Sequence, residues 1–241
     1  MFKKILLCLL LLSNAACQEK SQEAVIKVAV SPDYPPFEYK KDGEIVGFDI
    51  DVAKLIAEKQ GKKLEILELE FSSLIPALQS GKIDFVMSGL TVTPERLANI
   101  SFSDVYYEAS IAGIAKDYTS NSLANKRVGA QLGSFMESFA KEQQEILPGI
   151  TIISLANNLH LFQELKLGRI DILLLENAQI SEFLKKSPEF TAVSFDNTEG
   201  GYAIAFKKNS ILKEDFNTAL NQLKADGSIK ELENKWLKTK E

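Results

Sequence analysis

The chain has 241 residues, with 28 lysines and arginines against 33 aspartates and glutamates and a formal net charge of −5. An acidic balance without a basic cluster excludes the electrostatic footprint of a nucleic-acid-binding protein. Two cysteines and a single histidine offer no metal-ligand cluster and no nucleophile–histidine pair of the acyl-transfer kind.

The first predicted element is an export signal over residues 1–16. Lys3 and Lys4 precede an unbroken apolar run, residues 5–12, and then Ser-Asn-Ala-Ala before Cys17. That run is too short to span a bilayer, and no later segment is long and apolar enough. The remainder is expected to be a soluble domain outside the cytoplasm. Cys17 stands where a lipoprotein signal places its lipidated cysteine. Ala15 and Ala16 suit that reading, Asn14 departs from it, and ordinary cleavage beside Cys17 is the alternative. Cys8 leaves with the signal, so the mature domain has no internal disulfide. Residues 17–24 are polar and read as a lipid-anchored tether.

Apolar runs at residues 26–30, 64–69 and 83–87 read as strands, and runs at 127–130, 150–155 and 170–175 repeat the pattern. Residues 74–88 and 161–175 are two versions of one unit: a short amphipathic helix, a Gly C-cap (Gly81, Gly168), a basic residue, then Ile-Asp opening a buried strand. Each half therefore runs strand, helix, strand, helix, strand. Such alternation predicts an α/β fold with mostly parallel sheets flanked by helices. Ligands of open sheets sit beyond the C-terminal strand ends. Those ends fall at residues 31–34, 71–72 and 88–96 in one half and 131–135, 156–158 and 176–177 in the other. The apolar segments 111–115 and 202–206 read as two crossings between lobes. Residues 25–115 and 202–241 then form lobe 1, and residues 116–201 form lobe 2. Two crossings permit hinge closure.

The richest loop is residues 88–96, Ser-Gly-Leu-Thr-Val-Thr-Pro-Glu-Arg. Thr93 reads as an N-cap with Pro94 in the first helical turn. Ser88, Gly89 and Thr91 leave backbone N–H groups and hydroxyls uncovered. Arg96 adds a planar fork of donors that fits a carboxylate. An arginine this early in a helix opposes the helix dipole, and a bound carboxylate resolves the conflict. Ser134 and Phe135 follow Gly133 where a strand turns into a helix, a second place for an anion or a plain cap. Tyr34 precedes Pro35 and Pro36, which should hold its loop extended. Tyr34 and Phe71 read as ligand-facing rings or as core, and Glu176 as a charged site residue or as a cap of the strand end. His160 falls in helix-like sequence. The charged tail, residues 230–241, reads as a solvated helix packed by Trp236.

The loop 88–96 resembles the ligand loop of the periplasmic amino-acid-binding proteins of ABC importers. So, in family order, do residues 32–38 (Pro-Asp-Tyr-Pro-Pro-Phe-Glu), 47–53 (Gly-Phe-Asp-Ile-Asp-Val-Ala), 73–78, 127–133 and 223–227 with Trp236. The resemblance implies the two-lobe, two-crossing architecture and a monomer that delivers a free polar or basic L-amino acid to an ABC permease, with no cofactor and no catalysis. It implies that Arg96, the Thr91 N–H and the Ser134–Phe135 turn take the ligand carboxylate. Glu176, the Gly89 carbonyl and the Thr91 hydroxyl take its ammonium, within a loop opened by Ser88. Tyr34 and Phe71 sandwich its side chain; an aromatic face suits an aliphatic, amide or cationic group. Two positions depart from the family. Glu176 is one methylene longer than the usual aspartate. Ser31 replaces the acid that often meets a basic ligand, with Asp33 and Glu38 nearby. A rival from another class is an exported prephenate or arogenate (cyclohexadienyl) dehydratase, some of which carry a glutamate in lobe 2 as general acid. A receptor's sensing domain is a third, weaker reading.

Overall fold

The computed structural model describes residues 24–116, 122–195 and 200–238. The expected signal peptide, Cys17 and nearly all of the tether lie outside the described residues. In chain order come β1 (Val25–Val30), β2 (Asp33–Tyr34), β3 (Glu38–Lys41), β4 (Glu44–Val46), α1 (Phe48–Lys59), β5 (Lys63–Glu68), α2 (Phe71–Gln79), β6 (Phe85–Val86), α3 (Pro94–Asn99), β7 (Ile100–Phe102) and β8 (Tyr107–Glu108). Then follow β9 (Ile111–Ala115), β10 (Arg127–Gln131), α4 (Phe135–Ile146), β11 (Thr151–Leu155), α5 (Asn158–Lys166), β12 (Ile172–Glu176), α6 (Asn177–Lys186) and β13 (Thr191–Ser194). The chain ends in β14 (Gly201–Tyr202), β15 (Ala205–Lys207), α7 (Leu212–Ala225) and α8 (Ser228–Trp236).

The internal repeat becomes two sheets of one design, ordered β5-β1-β6-β15-β7 and β11-β10-β12-β9-β13. In each, three parallel strands are followed by an antiparallel one. Gly81 and Gly168 have positive φ, +75° and +67°, as helix-terminating glycines require. The repeated Asp has a matching task in both halves. Asp84 Oδ2 accepts from Lys27 N–H at 2.7 Å, and Asp171 Oδ2 accepts from Arg127 N–H at 2.7 Å. Each thereby pins the third strand of its unit to the start of the first. Arg127 adds a two-pronged pair to Asp171, Nε at 3.1 Å and Nη2 at 2.6 Å.

Both sheets are covered on both faces, so neighbouring residues along a strand enter different cores. Val28 packs with Phe48, Ile50, Phe85 and Phe216, whereas Ala29 packs with Leu74, Leu78 and Val86. Ile172 and Leu174 join Val128 and Phe139, whereas Leu173 and Leu175 join Leu161 and Phe183. Trp236 packs on the first of these cores, as read from the tail, and its Nε1 donates to Asp51 Oδ2 at 2.8 Å. No helix among the described residues is long and apolar enough to cross a membrane.

One expectation about the crossings is corrected. β9 is a full member of the second sheet, between β12 and β13, and all five of its residues are buried. An apolar run buried on both faces is a central strand rather than a connector. The connector lies just before it, where β8 pairs with β14 through Glu108↔Gly201 and Tyr107↔Tyr202. β15 occupies the equivalent antiparallel slot of the first sheet.

Candidate functional site

The strand-end loops of the two sheets meet around a small cavity of about 20 Å³. Its lining includes Tyr34, Phe71, Gly89 and Thr91 from one side and Gln131, Ser134, Phe135, Met136 and Asn158 from the other, with Tyr202 from the connector ribbon. Five of the six loops read from the sequence contribute. The two sides touch directly, so the cleft is closed. Arg96 Nη2 donates to the Gly133 carbonyl at 2.9 Å, and Asp33 accepts from Asn158 N–H at 2.7 Å.

Arg96 is held as its sequence context suggests. Thr93 Oγ1 caps α3 by accepting from Arg96 N–H at 3.2 Å, and Pro94 sits in the first turn. Arg96 as a whole is 9% exposed. Its Nη1 donates to the Thr91 carbonyl at 2.8 Å. Its Cζ lies 5.8 Å from the Phe71 ring centre. Among the described residues no carboxylate comes within ion-pair distance of it. Burial lowers its pKa to about 10, so the group stays a cation at neutral pH. A buried arginine with only neutral carbonyl partners retains donors for an anion.

The aromatic wall is larger than the two rings read from the sequence. Phe37 sits at its centre, with ring centres 5.7 Å from Tyr34, 5.0 Å from Tyr107 and 5.3 Å from Tyr202. The hydroxyls of Tyr34 and Tyr202 lie 2.8 Å apart. The Tyr34 loop is not extended as expected. Phe37 N–H donates to the Tyr34 carbonyl at 2.9 Å, closing a tight turn that brings Tyr34 over the cavity. Gly89 makes that approach possible. Its φ is +51°, and a Cβ there would lie 2.9 Å from Tyr34 Cε1 and 3.2 Å from Tyr202.

Glu176 is fully buried and caps α6. Oε2 accepts from Ala178 N–H at 2.6 Å, and Oε1 accepts from Tyr107 OH at 3.2 Å and Ser110 N–H at 3.3 Å. Gln179 closes a capping box on the Glu176 N–H. The longer side chain reaches back over its own helix start. Burial outweighs these donors and raises its pKa to about 7. Asn177 beside it is exposed.

Other expected residues fall into two groups. Ser134 caps α4, with Oγ accepting from Glu137 N–H at 3.2 Å. Its own N–H is used on the Gln131 carbonyl at 3.0 Å. Phe135 and Met136 line the cavity, and theirs are the first-turn N–H groups that neither the cap nor the Gln131 carbonyl takes. Ser88 lies behind the cavity. Its hydroxyl donates to Glu38 Oε1 at 2.6 Å and accepts from Ser31 N–H at 2.9 Å. Asp33 and Glu38 do not border the cavity as possible partners of a distal cation. Asp33 Oδ1 takes Ser31 Oγ at 3.1 Å, and both its oxygens take Gln131 Nε2 at 3.3 Å. Gln131 Oε1 in turn accepts from Asn158 Nδ2 at 2.9 Å. His160 is exposed on α5.

Tyr202, Tyr107, Gln131, Asn158 and Met136 were not singled out from the sequence as site residues. Gln131 and Asn158 lay within predicted strand-end loops, so their position was available. Tyr202 and Tyr107 carry no local signal, because they reach the site only through the pairing of β8 with β14.

Two mostly parallel sheets, joined by a short ribbon and closed on each other around a small cavity with a buried arginine bridging the cleft, define a two-lobed solute-binding protein. The chain belongs to the bacterial extracellular solute-binding proteins, family 3, whose model matches residues 26–239. It is similar to the arginine-binding extracellular protein ArtP of Bacillus subtilis, 36% identical over 231 residues, covering 93% of this chain and 89% of that one. Among solved structures it is similar to an ancestral arginine-binding protein bound to arginine, at 39% identity and a TM-score of 0.85, covering 90% and 99% of the two chains. It is also similar to an ancestral amino-acid-binding protein described as a precursor of cyclohexadienyl dehydratase, at 35% identity and a TM-score of 0.82, covering 89% and 96%.

Proposed function

We propose that the protein captures a polar or basic L-α-amino acid, arginine foremost, between its two lobes and passes it to an ABC importer. The observation that carries this reading is Arg96: a buried cation held between the strand-end loops of the two sheets by the Thr91 and Gly133 carbonyls, with donors to spare and, among the described residues, no carboxylate in ion-pair contact. The ligand carboxylate takes Arg96 and the first-turn N–H groups of Phe135 and Met136. The ammonium takes Glu176, whose lone pairs exceed its three protein donors, together with Thr91. The side chain lies along Tyr34 and Phe71, with Gln131 and Asn158 at its far end. A guanidinium stacks well on such rings, and the relatives named for arginine support that choice. The lobes, residues 25–110 and 202–238 against the segment between them, close about the β8–β14 ribbon. The protein acts as a monomer in the cell envelope, held by a lipid on Cys17.

Calorimetry with the twenty amino acids and with L-arginine methyl ester tests this. Arginine should bind and its ester should bind far more weakly; equal affinities sink the reading. A ligand at a hundredfold excess over its Kd should add about 2.7 kcal/mol to native stability.

The raised Glu176 pKa also suits a general acid, which keeps the dehydratase reading as the rival. Conversion of prephenate to phenylpyruvate by wild-type protein, lost in Glu176→Gln, would replace binding by catalysis.

A further inference from the structure

Behind the Ser88–Gly89 loop lie two fully buried acids, Glu38 at the start of β3 and Asp49 in the first turn of α1. Asp49 Oδ2 accepts from Gly89 N–H at 2.8 Å and from Tyr106 OH at 2.7 Å. Glu38 Oε1 accepts from Ser88 Oγ at 2.6 Å. The other oxygen of each carboxyl, Glu38 Oε2 and Asp49 Oδ1, has no partner elsewhere in the protein. The two carboxyls are neighbours: Asp49 N–H donates to the carbonyl of Phe37, the residue before Glu38, at 3.0 Å, and the two acids grip the adjacent residues Ser88 and Gly89. The titratable groups around them are Asp33, Tyr34 and Tyr106. Neither acid has a lysine or arginine in ion-pair contact among the described residues.

Counting donors restricts the protonation state. Gly89 N–H and Tyr106 OH both donate to Asp49 Oδ2, and Ser88 OH donates to Glu38 Oε1. Oε2 and Oδ1 are the two oxygens left without a donor. Two ionised carboxylates this close, buried and without a cation between them, repel strongly. A second proton would have to neutralise Asp49, whose ionised form is the one that Gly89 N–H and Tyr106 OH both stabilise by donating to it.

We propose that Glu38 and Asp49 share a single proton between Glu38 Oε2 and Asp49 Oδ1, and that this acid pair is the positioning element that holds the Ser88–Gly89 loop in the shape of the amino-acid site. The role in binding rests on the proposed function; the shared proton does not. Burial first, and then the neighbouring carboxylate, pushes Glu38 well above the usual range, while Asp49 rises to about 6. The proton therefore resides on Glu38 and is donated to Asp49. By fixing the Gly89 N–H inward, the pair sets the face that the loop turns to the cavity. Gly47 is the local reason that α1 starts where it does. A Cβ there would lie 2.1 Å from the Phe37 carbonyl oxygen, so only glycine lets Asp49 come this close to the loop.

Amides replace the shared proton one at a time. In Glu38→Gln the amide oxygen can accept from Ser88 while its NH2 donates to Asp49 Oδ1. In Asp49→Asn the amide oxygen can take Gly89 and Tyr106 while its NH2 donates to Glu38 Oε2. The double variant sets two NH2 groups face to face. Denaturation midpoints should be near wild type for each single variant and fall in the double by much more than the sum. L-arginine affinity should stay within about threefold of wild type in the singles and drop by at least about tenfold in a folded double. Infrared spectra at pH 7, taken in a Glu176→Gln background because the buried Glu176 carboxyl itself titrates near 7, should show one protonated buried carboxyl when Glu38 and Asp49 are both present, absent once either is replaced by its amide. An additive double, or absence of that band with both acids in place, overturns the pair. If the double fails to fold, the infrared band and the stability of the singles still decide. Because those two readouts need no amino acid, their failure is distinct from a failure of arginine to bind.

Discussion

Arg96 bonds both lobes at once: Nη1 to the Thr91 carbonyl beside it and Nη2 to the Gly133 carbonyl across the cleft. The cation proposed to receive the ligand's carboxylate is thus also a strut of the closed form. Replacing it removes two things together.

Arg96→Ala should therefore cost about 2–5 kcal/mol in ligand binding, roughly thirty- to several-thousandfold. The fold should survive, because the side chain belongs to none of the apolar cores and bonds only two carbonyls at the cleft. Arg96→Lys should recover little, since one ammonium cannot span two carbonyls and a carboxylate as a planar fork does. Calorimetry and a denaturation curve on each variant check this; normal binding by Arg96→Ala contradicts it.

Glu176 gives a pH signature. Its pKa is raised by burial from 4.5 to about 7 in the folded protein. Between those values the folded state binds more protons than the unfolded state, so its contribution to stability is complete below about 4.5 and is lost as pH rises through 7. The span is on the order of 3 kcal/mol. Urea midpoints of unliganded wild type should fall over this range, and those of Glu176→Gln should fall less. Amino-acid affinity should move the other way and rise toward pH 7, because an ammonium needs the ionised carboxylate. A flat affinity profile argues against Glu176 as its partner.

Asp33 separates a latch from a ligand contact. Its oxygens are taken by Ser31, Gln131 and Asn158, the last two on the opposite lobe. Asp33→Ala leaves buried donors unpaired only in the closed form, at a cost of about 1–3 kcal/mol. All amino-acid ligands should weaken by a similar factor. Measured Kd values for arginine and glutamine should keep their ratio; a loss confined to arginine would place Asp33 on the ligand instead.

Cys17 is testable in cells. A radioactive fatty acid should label the wild-type protein, and Cys17→Ser should abolish the label. Unlabelled wild-type protein released with the periplasmic contents would mean that Asn14 spoils the lipoprotein signal.

Much of this protein is set by sequence-local chemistry. The repeat at residues 74–88 and 161–175 encodes the two sheets, because buried apolar runs, αL glycines and a strand-opening Asp act over a few residues. The Thr93 and Ser134 caps and the loop that carries Arg96 are legible for the same reason. Tertiary structure decided what depends on partners distant in sequence. β9 reads alone as a connector and becomes a central strand only between β12 and β13. Tyr202 reaches the cavity because β14 pairs with β8. Asp33 and Glu38 look like free acids near a binding loop. Folding places partners 125 and 50 residues away against them, and turns one into a latch and the other into half of a buried pair. A carboxylate's role follows from its burial and its donors, and neither is a property of the residues beside it in the chain.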